Sequence, residues 1–439
     1  GGGSYIVAME NLGTVAGQTA GAALMIDYVL TVSVSVAAGV AAITSAMPGL
    51  LPYRVGIGIV AIAALTVGNL RGVKESGRTF ALPTYGFIVC LGGVILWGGA
   101  RLLTGAGSQP LEAAQPAVDH AVAIITPFLL LHAFASGCAA LTGVEAISNG
   151  VVAFERPESR NAGMTLVAMA VILGTLFIGI TLLAHAYGVM PRENETVISQ
   201  IARISLGTTP LYYMVQSFTA LILIVAANTS FADFPRLCSL HARDGFLPRQ
   251  LTHRGDRLVF SNGILMLGVV SAILLVVFNA DTHALIPLYA VGVFTSFTLS
   301  QASMVRRWLR LRPARWPWRV AISTLGAATT GTVLLVVAAT KFLDGAWIVI
   351  VAIPIIIAFF LAVNRHYRNV GVLLRAQRLT ADRDAYNTFV FLVKELDTAT
   401  LDAISYLRAL RPEDVRPLYV GRPERYATVA NGWEGCAPR

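Results

Sequence analysis

Apolar stretches of about 20 residues recur almost from one end of this chain to the other, and a helix that crosses a lipid bilayer needs a run of that length. Inside hydrocarbon every backbone N–H and C=O must be satisfied within its own segment, so each run reads as a helix. Ten spans are expected, at roughly 16–47, 53–69, 79–104, 120–152, 162–188, 208–233, 261–279, 284–304, 319–340 and 344–364. The first and fourth are too long for one straight crossing, so each is expected to combine a span with an interfacial or broken piece. Only 13% of the 439 residues are charged, too few to keep a soluble protein of this length wet. The chain is predicted to be a polytopic all-α membrane protein.

The net charge of +9 invites a nucleic-acid partner, but the arginines sit in short loops between apolar spans. RGVKESGR (71–78), FERPESRN (154–161), the segment 236–257 and RRWLRLRPARWPWR (306–319) carry them, the last with six arginines and no acid. These loops alternate with charge-poor ones near 105–119, 189–206, 280–283 and 341–344. The positive-inside rule then puts the rich loops and both ends of the chain in the cytoplasm of a cell with this protein in its plasma or inner membrane. Trp308, Trp316 and Trp318 fit an interfacial belt beside the last cluster. Cys90, Cys138, Cys238 and Cys436 form no CxxC pair and no His/Cys cluster, which argues against a disulfide framework or a structural zinc. The opening GGGSYIVAMENLG has no initiator Met and no charged n-region, so the chain is expected to begin inside a longer protein.

From about residue 367 the pattern changes. NTFVFLV (387–393) reads as a strand, TATLDAISYLRAL (398–410) as an amphipathic helix and VRPLYVG (415–421) as a second strand. The expected division is a transmembrane domain over 1–366 and the start of a cytoplasmic α/β domain over 367–439.

Within the first span, GAALMIDYVLTVSVSVAAG places Asp27 among Ala, Leu, Ile and Val. A carboxylate at the bilayer centre costs roughly 2.5–3.5 kcal/mol, so it normally faces a cavity or the bundle interior. Asp27, Thr31 and Ser35 follow at i, i+4 and i+8, each step turning about 40°, so their oxygens stack on one face over about 12 Å, with Tyr28 beside them. Such a ladder suits a desolvated hard cation. Ser33 and Ser35 have a second reading, as helix glue or as hydroxyls bonded back to the i−4 carbonyl.

HAFASGCAALTGVEAISNGVVAFERPESRNAG (132–163) interrupts the fourth span with Gly137 and Gly143, next to Ser136 and Thr142, and places Glu145 just beyond. Glycines at mid-membrane let a helix unwind and expose carbonyls to an ion. A desolvated carboxyl such as Glu145 can titrate near neutrality and couple a proton. Close helix packing through small residues is the competing reading. His132 reads as a packed or interfacial ring. Tyr289, in ALIPLYAVGVFTSFTLSQ (284–301), reads equally as a cation ligand and as an interfacial anchor.

GVEAISNGVVAFERPESRNAG resembles the sixth-helix signature of the amino acid–polyamine–organocation (APC) superfamily. NLRGVKESG and RLCSLHARDGFLPRQL resemble its loops after the fourth and eighth helices, and GGGSY the end of its second helix. IDYVLTVSVSVAAGVAAITSA and SGCAALTGVEAISN resemble the KimA-type potassium–proton symporters, related to the KUP potassium uptake proteins. The resemblance implies a five-plus-five inverted-repeat bundle, here without its first helix and most of its second, followed by a cytoplasmic α/β domain. It implies a potassium site shared by Asp27, Tyr28, Thr31, Ser35, Thr142 and Tyr289, with Glu145 as the proton-linked acid. No cofactor is expected beyond the transported potassium and proton. The expected partners are membrane lipid, a small inorganic cation, a second copy through the cytoplasmic domain and a nucleotide regulator, with no nucleic acid. The leading expectation is a proton-coupled potassium importer and the alternative an amino acid permease, while a membrane sensor is required by nothing in the sequence. No HExxH, GxSxG or catalytic carboxylate pair is present, so an enzyme is not expected.

Overall fold

A computed structural model describes residues 3–72, 77–104, 126–138, 143, 147, 151, 154–192, 194–253, 255, 259–379, 388–410 and 414–436. Two compact units emerge, Gly1–His366 and Tyr367–Arg439. The first holds α1 (Gly3–Leu12), α2 (Thr14–Ala46), a 3₁₀ turn (Pro48–Tyr53), α3 (Arg54–Leu70), α4 (Gly77–Leu103), α5 (Pro127–Cys138), α6 (Glu158–Ala186), α7 (Val197–Leu206), α8 (Pro210–Arg243), α9 (Ser261–Val277), α10 (Thr282–Leu311) and α11 (Trp316–Thr340). The helix α12 (Trp347–Leu379) runs from it into the second unit.

Among the described residues, eight helices are long and apolar enough to cross a membrane. The fourth and seventh expected spans appear as the shorter apolar helices Pro127–Cys138 and Ser261–Val277. The helix α2 is the axis of the bundle. Two thirds of its apolar window (67%) is buried, against 6% for α6, so α2 packs on all sides while α6 turns mostly toward lipid. Its glycines and alanines let α1, α8, α9 and α10 come close.

Two expectations change. The first span is not a span plus a broken piece: α2 is one continuous helix of 33 residues, about 50 Å long. It contains no proline, and protein rather than lipid covers most of it, so length beyond the hydrocarbon carries no penalty. The charge-poor connection 189–206 is not only a loop, because it holds α7. The Thr196 hydroxyl caps that helix, accepting the Ser199 N–H at 3.2 Å.

Ser33 takes the glue reading. It is fully buried, and its hydroxyl lies 3.1 Å from both the Val29 and the Ser271 carbonyl oxygens, while the Ser271 hydroxyl donates to the Val29 carbonyl at 3.1 Å. These bonds join α2 to α9. Ser33→Ala is expected to lower stability by about 0.5–1.5 kcal/mol and leave transport intact, as read by unfolding in mixed detergent micelles beside an uptake assay.

In the second unit, β1 (Thr388–Val393) and β2 (Asp414–Tyr419) pair in parallel, from Thr388 opposite Asp414 to Val393 opposite Tyr419. The helix α13 (Thr398–Leu410) makes the crossover, and α14 (Tyr426–Cys436) follows. Asp397 caps α13, accepting the Thr400 N–H and hydroxyl at 2.8 Å each. These bonds hold its carboxyl below the usual range.

Candidate functional site

Asp27 lies near the middle of α2 and is 1% exposed. What faces it is set by Gly292 on α10. A Cβ at Gly292 would stand 3.3 Å from the Ala23 carbonyl oxygen and 3.8 Å from the Asp27 Cα, so the two helices approach closely at the backbone of Asp27. One turn along α2, the Thr31 hydroxyl points back to Asp27, 3.5 Å from Oδ1, at the long limit of a hydrogen bond. Tyr28 and Tyr289 are both buried. Tyr289 is one turn from Gly292 on α10, inside the bundle core and not at its rim. Ser35 is half-buried on the same stripe.

One neighbour is a residue that sequence reasoning missed. Ser296 follows Gly292 by one helical turn on the face toward α2, is fully buried, and its hydroxyl has no hydrogen-bond partner among the described residues. A serine in VFTSFTLS reads as packing, and only the position of Gly292 shows which way Ser296 points.

Around the break, Gly137 lies within α5, one residue before its end, and Gly143 lies in a turn with φ of 93°, a conformation that glycine adopts without strain. Thr142 and Glu145 fall outside the described residues. His132, expected as a packed or interfacial ring, is half-buried and has a specific partner: Lys341 Nζ is 2.6 Å from its Nε2. Lys341 also stands 3.7 Å from Asp344. Sequence reasoning passed over Lys341 because its loop is short and otherwise poor in charge.

Beyond Ser35 the stripe 27–31–35 continues along α2 through Ala38, Ala42 and Ser45, and these three line a cavity of about 420 Å³. Its other walls come from the segment before α7, from Thr219 and from Asp281–His283. This end of α2 is fastened to its neighbours. The Ser45 hydroxyl accepts the Thr196 N–H at 3.0 Å, and its carbonyl accepts the Tyr212 hydroxyl at 3.1 Å. Glu195 accepts from Ser199 at 2.9 Å and from Arg203 at 2.7 Å. The cavity thus stands beyond the Ser35 end of the oxygen ladder, with Arg54, Arg192 and Glu195 among its walls.

At the arginine-rich end of α2 lies a second polar cluster. The His241 ring stacks on Tyr5 with centroids 3.8 Å apart and donates from Nδ1 to the Leu237 carbonyl at 3.1 Å. The Tyr5 hydroxyl donates to Asp244 at 2.6 Å.

A buried carboxylate, a stripe of hydroxyls and a cavity beyond it on one helix face are features that a membrane transporter of a small solute would use. Comparison with known proteins agrees with that class. Residues 1–370 match the amino acid permease family. The chain is 45% identical over 410 residues to the potassium transporter KimA of Bacillus subtilis (strain 168), a match that covers 93% of this chain and 67% of that protein. The chain therefore belongs to the amino acid permease (APC) family, and it is a multi-pass membrane transporter, not an enzyme.

Proposed function

We propose that this chain imports potassium across the plasma membrane, coupled to protons, with both of its ends in the cytoplasm. The observation that carries the proposal is Asp27: one carboxylate, 1% exposed, on a residue whose backbone packs against α10 at Gly292, with the Thr31 hydroxyl turned toward it. A monovalent cation that has lost its water needs one compensating charge and several neutral oxygens. Asp27 supplies the charge, and Tyr28, Thr31, Ser35 and Tyr289 supply oxygens, joined by Thr142. Glu145 carries the proton. The cavity above Ser35 is the external vestibule, since it lies at the end of α2 away from the arginine-rich segments 236–257 and 306–319. The named potassium transporter at 45% identity supports the choice of ion.

The family's description as amino acid permeases favours a second reading, uptake of an amino acid. The two separate in one experiment on the chain reconstituted in vesicles. Labelled rubidium uptake is expected to be competed by potassium, to be unaffected by an equal excess of mixed amino acids, and to fall when a protonophore collapses an imposed pH gradient. Uptake of labelled amino acids with no rubidium uptake would establish the permease reading instead.

A further inference from the structure

We propose that the turn between α10 and α11 is a binding site for an anionic phospholipid headgroup. The proposal rests on the orientation above only for which leaflet supplies the lipid. No Asp or Glu occurs between Asp281 and Asp344, so the six arginines at this turn have no acid nearby in sequence. Their side chains divide into two groups. Three are engaged, one with α1 and two within the hairpin. Arg310 donates to Asn11 at 3.1 Å, Arg312 lies 5.6 Å from the Trp316 ring centroid, and Arg319 lies 4.9 Å from that of Trp308. The two ring contacts cross the turn in both directions and fix its shape. The other three, Arg306, Arg307 and Arg315, have no hydrogen bond, ion pair or ring contact among the described residues. They are guanidinium groups with their donors still available, the geometry that suits a phosphate.

Lipid is favoured over a free anion by what lies between the charges. Trp318 is 69% exposed, Leu311 56% and Leu309 46%. Apolar bodies beside unpaired guanidinium groups match the boundary between headgroups and acyl chains. A soluble anion would need only the charges. The backbone also serves this display: Arg312 and Arg315 both adopt left-handed conformations (φ 43° and 60°), which closes the helix hairpin in four residues and gathers the last turn of α10 and the first of α11 at one level.

The test is tryptophan quenching by brominated lipid, with the whole chain reconstituted in phosphatidylcholine. Brominated phosphatidylglycerol is expected to quench at a mole fraction at least fivefold lower than brominated phosphatidylcholine, since each arginine near an anionic surface is worth about fivefold in association. The triple variant Arg306→Gln, Arg307→Gln, Arg315→Gln should bring the two lipids to parity. Arg315→Gln alone, lying between the helices, should lower the preference several-fold even if the triple variant folds poorly. Parity in the unsubstituted protein, or a preference that survives both variants, overturns the proposal. Loss of the preference on adding inorganic phosphate, but not chloride at matched ionic strength, overturns it in favour of a free-anion site. Loss on adding an acidic peptide in place of phosphate overturns it in favour of a protein partner.

Discussion

Asp27→Asn is expected to abolish rubidium uptake at low external concentration while the protein folds at least as well as before. The substitution keeps the shape of the side chain and removes its charge. At an effective dielectric constant of about 20, a unit charge about 4 Å from a cation contributes about 4 kcal/mol, so the site should weaken roughly a thousandfold. Folding should respond in the other direction, because burying a neutral amide at a position 1% exposed costs less than burying a carboxylate. That opposition separates a ligand from a structural acid. Uptake within about threefold of the unsubstituted protein would remove Asp27 from the site. Asp27→Glu is a useful companion, since it lengthens a side chain at a position 1% exposed, and it should also transport poorly although its charge is retained.

Gly21→Ala is expected to be the most destabilising single-methyl change in the bundle. A Cβ at Gly21 would overlap the His241 imidazole at Nε2 and stand 3.3 Å from Tyr5 Cδ2. The ring cannot retreat. It stacks on Tyr5 on one side, packs 5.3 Å from Phe360 on another, and is held by its bond to Leu237. Overpacking of this kind costs about 1–3 kcal/mol or more, read as a lowered midpoint in detergent unfolding. Combining it with His241→Ala should give back part of the loss, because the new methyl then fills space that the ring has vacated. A double variant that is merely the sum of the two singles would mean that Gly21 is needed for some reason other than this ring.

The transmembrane class was legible because hydrocarbon leaves the chain so few options: the apolar runs alone place a helix at each of the ten expected spans. Asp27 and its hydroxyl ladder were legible for a related reason, since a charge is conspicuous where only aliphatic residues are cheap. Other features needed the third dimension. Whether Ser33 or Ser35 is glue depends on which neighbour each one faces, and only the position of Ser271 settles Ser33. The hydroxyl of Ser296 gains meaning from Gly292, and the partner of His132 is 209 residues away. The helix α7 escaped notice because its ten residues alternate polar with apolar over too short a run to stand out. Thr142 and Glu145 lie outside the described residues, so their roles rest on the sequence and on family resemblance.

The unbroken course of α2 has a mechanical consequence. With no proline and a continuous ladder of backbone bonds, it has no joint at which to flex between its anchorage at Ser45 and its close fit at Gly21. It acts as a strut. Under the proposed transport role, a shift at one end of α2 would reach the other as a swing of the entire rod, carrying Asp27 with it. Bending would then fall to neighbours such as α8 and α10, each of which has a proline inside it.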